Sequence, residues 1–187
     1  MWVKVEYYGE FVAYPVLVAA LAIAVLWQAP FDQFAVWLAT FAAGLAIWTF
    51  VEYLLHRYVL HHWPYIKEQH EAHHAVQTAL IPTPIWISLG LLLGLVYLPF
   101  WLIGGPIVAA GMTSGVALGY LAFEGVHHIL HHWQIGPGSH LYVLKRRHML
   151  HHCFDDKGNF GVTTGFWDVV FATDVKLRQP KAAASRT

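Results

Sequence analysis

The stretch from Phe34 to His62, FAVWLATFAAGLAIWTFVEYLLHRYVLHH, decides the fold, because it joins a long apolar run directly to a cluster of histidines. The apolar part, from about Phe34 to Leu55, carries one charged residue, Glu52. A run of this length can cross roughly 30 Å of hydrocarbon as an α-helix. We therefore predict a membrane-spanning helix that delivers imidazole side chains to one face of a bilayer.

Three further apolar segments, at about 11–29, 84–102 and 106–123, are also long enough to span a bilayer. Gly104-Gly105-Pro106 separates the last two, and Pro82 and Pro84 are expected at the start of the third. The N-terminus has acidic residues and no basic segment before its apolar run, so we expect a retained span and not a cleaved signal. With 57% hydrophobic and only 12% charged residues, the chain is predicted to be an all-α membrane protein with four transmembrane helices.

Four spans would place both termini and every histidine cluster on the same side of the membrane. All lysines and arginines fall on that side too, which the positive-inside rule identifies as cytosolic. We predict a single domain over residues 1–174, with a histidine-rich helical cap formed by 56–83 and 124–174, and a flexible tail over 175–187. The expected location is a bacterial cytoplasmic membrane, with the termini and the cap on the cytosolic side.

Histidine is unusually abundant: there are 14, against 11 lysines and arginines together. Thirteen belong to four clusters, and one is the isolated His140. The clusters are His56 with His61-His62, His70-His73-His74, His127-His128-His131-His132 and His148-His151-His152, and all 14 histidines lie outside the apolar centres of the spans. Residues three or four apart share one face of a helix, so several of these imidazoles can converge. His56 and His61 are five apart, about 140° around an ideal helix. They can serve one centre only if the helix ends or bulges there, whereas the isolated His140 is expected to be a polar anchor.

Imidazole suits zinc, copper, iron and nickel. Cys153 is the only cysteine, which excludes iron–sulfur clusters and thiolate zinc fingers, and the zero net charge gives no reason to expect nucleic acid as a partner. About ten histidines are too many for one ion, so two ions are the economical count. A competing motif, His70-Glu71-Ala72-His73-His74, matches the H-E-x-x-H signature of zinc metalloproteases, with Glu71 as general base. A non-catalytic metal or haem carrier is a third hypothesis.

The ordered motifs HRYVLH, HEAHH, EGVHHILHH and HMLHH, with a hydrophobic hairpin between the second and the third, resemble the fatty acid hydroxylase/sterol desaturase superfamily. The closing NFGVTTGFWDVVFAT is similar to the segment that follows the last histidine box in fatty acid hydroxylases. The resemblance extends from about Glu52 to Thr173.

This resemblance implies a dinuclear metal site in the cap, with iron expected in the active form, zinc possible in the isolated protein, and dioxygen as co-substrate. It implies ten ligands: His56, His61, His70, His73, His74, His127, His131, His148, His151 and His152. The pattern does not require His62, His128 or His132. Glu124, three residues before His127, resembles a carboxylate that orients an imidazole, and Asp168 is expected to be structural.

The implied function is O₂-dependent hydroxylation of a C–H bond in a membrane lipid, with a fatty acyl chain first in rank. Carotenoid ring hydroxylases share the order of the boxes but lack the closing segment, so they rank second, beside a desaturase of the same superfamily. A protease that uses His70, Glu71 and His74 ranks lower, since it leaves the other clusters unexplained. No electron-donor domain is recognised in the sequence. We therefore expect a separate electron-donor protein and a substrate that enters laterally from the bilayer.

Overall fold

The computed structural model describes residues 2–28, 30–80, 83–154 and 156–176, and in these ranges it contains helices and no strand. The helices are α1 (Trp2–Gln28), α2 (Phe31–Leu54), α3 (Pro64–Ala75), α4 (Ile85–Leu92), α5 (Leu98–His132), α6 (His140–Cys153) and α7 (Phe166–Val170), with π-helical turns at Leu55–Leu60 and Leu93–Tyr97. The predicted all-helical class is confirmed.

Three helical stretches in the described ranges are long and apolar enough to cross a membrane: Trp2–Trp27, Gln33–Leu60 and Ile85–His132. The third contains 48 residues and is interrupted at Gly105, whose φ of 78° lies in the left-handed region that favours glycine. Pro106 follows this break, where its fixed φ and missing N–H suit the start of a new helical arm.

The chain folds back at Gly105. Ser88, before the break, donates to Oε1 of Glu10 at 2.9 Å, and Tyr120, after it, donates to Oε2 of the same carboxylate at 2.7 Å. A straight helix would hold Ser88 and Tyr120 about 48 Å apart, given a rise of 1.5 Å per residue. The two arms therefore run antiparallel, and four apolar helical segments result. That all four cross a bilayer stays a prediction.

The second and fourth segments pack most closely, through small residues. A Cβ atom added at Gly115 would meet the backbone of Phe41 and Leu45, and one at Gly111 would meet Thr40. Glycines let two helix backbones approach each other in this way, which is a common device in membrane helix pairs. The C-terminal end of α2 and that of α5 are thereby held side by side, and both carry histidines.

The helices extend beyond the predicted spans. The first begins at Trp2 instead of about Phe11, because Glu10 is buried and bonded within the helix bundle instead of marking a boundary. The second begins at Phe31 and continues to Leu60 through the π-helical turn, and the fourth continues to His132. Part of the predicted cap is therefore a direct continuation of the second and fourth segments. Ala29, Pro82 and residues 177–187, which include most of the predicted tail, lie outside the described residues.

Candidate metal centre

The ten predicted ligands meet in two groups of five. The first histidine group consists of His56, His61, His70, His74 and His151, and the second histidine group consists of His73, His127, His131, His148 and His152. Within each group one ring nitrogen per residue lies within 4.8 Å of all the others, which is close enough for a single metal ion to bind them together.

The π-helical turn at Leu55–Leu60 explains how His56 and His61 join the same group. In a π-helix the backbone hydrogen bonds join residues five apart, so the helix is wider than an α-helix and residues five apart lie on nearly the same side. The two imidazole rings are stacked, with centroids 5.3 Å apart. The helix bulges at the position where the i, i+5 spacing requires it.

Two short helices contribute to both groups. On α3, His70 and His74 lie in the first group, while His73 lies in the second. On α6, His151 lies in the first group, while His148 and His152 lie in the second. The helices α3 and α6 therefore lie between the two groups and hold them next to each other, and His74 and His152 are stacked with ring centroids 4.0 Å apart.

The Nε2 atoms approach each other closely in both groups. Eight pairs of them are 2.8 to 3.2 Å apart, including His61 with His151 in the first group and His131 with His148 in the second. Two imidazole nitrogens that each lie about 2.1 Å from one metal ion and at right angles to each other are about 3 Å apart. Neutral imidazoles whose lone pairs face each other repel, so this arrangement favours a shared cation.

His152 gives a further reason to expect a metal. Its ring is packed among those of His74, His131 and His148, and both of its nitrogens are buried without a hydrogen-bond partner in the part of the chain that the structure describes. Burying an unpaired polar atom costs free energy. A cation bound by one nitrogen of His152 would remove the part of this cost that belongs to that atom, so the donor set fits a metal ion.

Backbone carbonyls orient two imidazoles of the first group. The Nδ1 atom of His56 lies 2.6 Å from the carbonyl oxygen of Phe160, and Nδ1 of His151 lies 2.8 Å from that of Gly158. A carbonyl oxygen only accepts hydrogen bonds, so each Nδ1 carries the proton and each Nε2 is free to bind a metal. Such contacts to the far nitrogen are typical of metal-binding histidines.

Two carboxylates hold the segment that carries these carbonyls, which we call the 158–165 loop. Glu52, from the end of α2, accepts hydrogen bonds from the backbone N–H groups of Val162 and Thr163. Asp168, from α7, accepts from those of Phe160 and Gly161. Sequence reasoning missed the role of Glu52, although its position as the only charge in an apolar run was a signal. For Asp168 the contacts agree with the structural role that was expected.

Histidines outside the three stretches that are long and apolar enough to cross a membrane have pKa values that favour the neutral, metal-binding form. Burial, with a smaller effect from neighbouring imidazoles, lowers the pKa of His61 and His73 to about 4. Burial lowers that of His151 to about 3 and that of His148 well below the ordinary 6.5. Neutral imidazole is the form that donates a lone pair to a metal.

The remaining candidates lie elsewhere. His62 contacts the carbonyl of Arg57, His128 contacts the hydroxyl of Tyr7, and His132 stacks on His128. His140 is exposed at the start of α6. Glu124, the expected orienting carboxylate, lies with Tyr120 and Glu10, and among the described residues it makes no hydrogen bond to an imidazole. Its recorded electrostatic neighbours are therefore these two side chains of the helix bundle.

The sequence was compared with known proteins. The family model of fatty acid hydroxylases matches residues 41–173. A Mus musculus protein named fatty acid 2-hydroxylase is 33% identical over 153 residues, which cover 74% of this chain and 40% of that protein. A Schizosaccharomyces pombe protein named ceramide very long chain fatty acid hydroxylase scs7 is 32% identical over 155 residues, or 77% of this chain and 44% of the relative. An Arabidopsis thaliana protein named dihydroceramide fatty acyl 2-hydroxylase FAH1 is 33% identical over 154 residues, which cover 74% of this chain and 61% of that protein.

A solved structure described as full-length scs7p, of which only the hydroxylase domain is visible, has a similar fold. The TM-score is 0.71 at 28% identity, and the match covers 97% of this chain and 70% of that one. The chain spans 38–40% of the length of the mammalian relatives that it matches. The family match covers well over half of the chain, including all ten histidines of the two groups. The resemblance seen in the sequence is confirmed, and the chain belongs to the fatty acid hydroxylase family.

Proposed function

We propose that this protein hydroxylates a C–H bond of a fatty acyl chain with dioxygen, at two metal ions held by the first and second histidine groups. The observation that carries the proposal is the meeting of ten imidazoles in two adjacent sets of five, in each of which one ring nitrogen per residue lies within 4.8 Å of the others. The relatives named above are fatty acid and fatty acyl hydroxylases, which supports this substrate class over a carotenoid ring or a desaturation.

The bound metals, iron in the active form, would supply the activation of dioxygen and the oxidising power for an unactivated C–H bond. The chain supplies the rest. Carbonyls of Gly158 and Phe160 fix the tautomer of His151 and His56, and burial keeps the imidazoles neutral. His56, His148 and His151 are almost fully buried, and exclusion of water from such positions protects a strong oxidant from side reactions.

We further propose that the four apolar segments span the membrane and that the histidine groups lie at its cytosolic face. The positions of the lysines and arginines support this orientation, as does the position of the groups at the ends of α2 and α5. A fatty acyl substrate would enter laterally between the helices, and a separate protein would supply electrons. The relatives named above are eukaryotic, so a bacterial cytoplasmic membrane as the location stays a prediction.

The geometry argues against the metalloprotease. Glu71 would be the general base, but its side chain is 63% exposed and pairs with Lys67 at 3.4 Å. His70 and His74 belong to a group of five imidazoles, whereas a protease zinc needs only three protein ligands and an open position for water. The match to the H-E-x-x-H signature is therefore explained by the abundance of histidine in this segment.

The test is to express the protein in cells that lack hydroxylated fatty acids and to grow them under dioxygen labelled with heavy oxygen. Mass spectrometry of the lipids should show hydroxylated fatty acids that contain the label, and the His148→Ala variant should show none. An unlabelled hydroxyl group, a new double bond, or hydroxylation confined to added carotenoids would contradict the proposal.

A further inference from the structure

The two metal positions differ in how the chain supports them. We propose that Glu52 and Asp168 are positioning residues for the first histidine group alone and act on it through the 158–165 loop. This inference rests on the proposed function only in requiring that the two groups hold metal. It makes one metal position dependent on two distant carboxylates and leaves the other independent of them.

Two imidazoles of the first histidine group contact the backbone of the 158–165 loop. His56 and His151 belong to the first group, and their Nδ1 atoms contact the carbonyl oxygens of Phe160 and Gly158 at 2.6 and 2.8 Å. Both imidazoles are almost fully buried, so water does not compete for these bonds. If the two carbonyls move, the imidazole rings turn or lose the tautomer that leaves Nε2 free to bind a metal.

Glu52 and Asp168 hold the backbone of the 158–165 loop in place. Four consecutive backbone N–H groups, those of residues 160–163, donate to two carboxylates. Asp168 accepts from Phe160 at 2.8 Å and from Gly161 at 2.9 Å, while Glu52 accepts from Val162 at 2.7 Å and Thr163 at 2.8 Å. The carboxylates are 0% and 3% exposed, so their negative charge is satisfied by these donors and by their other partners in the protein. The loop cannot shift without breaking charge-assisted hydrogen bonds, which are the strong ones.

The other contacts of the two carboxylates reinforce the loop. Asp168 also accepts from the hydroxyl of Thr173 at 2.8 Å and pairs with Arg147 at 3.2 Å. Glu52 also accepts from the hydroxyl of Thr163. The loop is therefore tied to α2 through Glu52 and to α6 and α7 through Asp168. The histidines that it orients lie just beyond Glu52, on the π-helical turn, and on α6.

The second histidine group lacks the contacts to the 158–165 loop that the first group has. No imidazole of this group is hydrogen-bonded to the 158–165 loop within the described residues. The Nδ1 atoms of His131 and His148 are buried and have no hydrogen-bond partner there. Glu52 and Asp168 therefore have no route to the second metal through hydrogen bonds of this loop.

The test measures metal per chain in the whole purified protein during slow removal by a chelator. In Glu52→Gln and in Asp168→Asn, one metal should be released at a chelator concentration about 10- to 100-fold lower than in the unaltered protein, the range typical of lost orienting contacts. The second metal should be released as before. Glu10→Gln is the matched control, since Glu10 is an equally buried carboxylate bonded to Ser88 and Tyr120, away from the loop.

Double variants assign the effect to one metal position. His151→Ala removes a ligand of the first group, and His148→Ala removes one of the second. Glu52→Gln combined with His151→Ala should bind no less metal than His151→Ala alone. Glu52→Gln combined with His148→Ala should release its remaining metal at a chelator concentration about 10- to 100-fold lower than His148→Ala alone. A general loss of stability would lower metal binding in both combinations, so the cycle separates positioning from folding.

If a carboxylate variant does not fold, Thr163→Val takes its place. It removes only the hydroxyl bond to Glu52 and keeps both amide bonds, so it should weaken the same metal by a smaller factor. Unaltered protein that cannot bind two metals overturns both this inference and the proposed function. Unaltered protein with two metals, and variants that lose both equally or neither, would falsify the positioning role and leave the proposed function standing.

Discussion

The imidazole rings of His56 and His61 lie 5.3 Å apart, with their planes within 20° of parallel, although five residues separate the two in sequence. The π-helical turn at Leu55–Leu60 produces this relationship. It lets a single apolar helix supply two adjacent imidazoles to the first histidine group at the point where the apolar run ends. Single π-helical turns of this kind occur frequently at functional sites.

Adjacent histidines should therefore behave very differently. His61→Ala removes a member of the first group and should reduce bound metal from about two ions per chain to about one, with loss of hydroxylation by at least about 100-fold. His62→Ala should keep both metal ions and the hydroxylation activity, because His62 contacts the carbonyl of Arg57 and the ring of Tyr58 and lies outside both groups. Elemental analysis and lipid mass spectrometry of the two variants check this, and equal losses would contradict the assignment of His61.

The exposed glutamate of the protease-like motif should be dispensable. Glu71→Gln breaks only an ion pair with Lys67 on the surface of α3, and such pairs contribute little to stability. Metal content and the yield of hydroxylated fatty acid should stay within about twofold of the unaltered protein. Loss of hydroxylation in this variant, with metal retained, would show that Glu71 takes part in the chemistry.

Helix packing should be sensitive at Gly115. A side chain there meets the backbone of Phe41 and Leu45, so Gly115→Val should lower the free energy of unfolding by at least about 2 kcal/mol. Gly90→Ala is the control, since a Cβ there has nothing within 4 Å and the expected change is below about 1 kcal/mol. Thermal unfolding in detergent compares them, and equal midpoints would contradict the close approach of α2 and α5.

The metal-free protein should become less stable in acid. Burial lowers the pKa of His61 and His73 to about 4, below the 6.5 of an ordinary histidine. Between these values the unfolded chain binds protons that the folded chain does not, so the free energy of unfolding falls as the pH decreases through this window. The unfolding midpoint should drop between about pH 7.5 and about pH 5.5. A double variant with glutamine at both positions should show a smaller drop, and a midpoint that rises in acid would contradict the shifts.

Sequence spacing and the family resemblance together predicted which ten histidines come together, because i, i+3 and i+4 residues must share a helix face. They could not predict which group each histidine joins. The helices α3 and α6 each divide their histidines between the two groups, and that division depends on how the helices pack. The spacing of His56 and His61 already indicated a bulge or a helix end, and the π-helical turn is such a bulge.

Other features depend on contacts between residues far apart in sequence. Glu52 bonds to residues 162 and 163, more than a hundred positions later, and no local pattern reveals such a pair. The start of the first helix was missed for a similar reason. A charged residue such as Glu10 is expected outside an apolar helix, but Ser88 and Tyr120 donate hydrogen bonds to its carboxylate between the helices.

The number of metal ions per folded chain tests the central claim most directly. Protein purified after iron loading without oxygen should contain about two ions per chain, and His151→Ala and His148→Ala, one from each group, should each contain about one. About one ion per chain or fewer in the unaltered protein would contradict a dinuclear site formed by the two histidine groups.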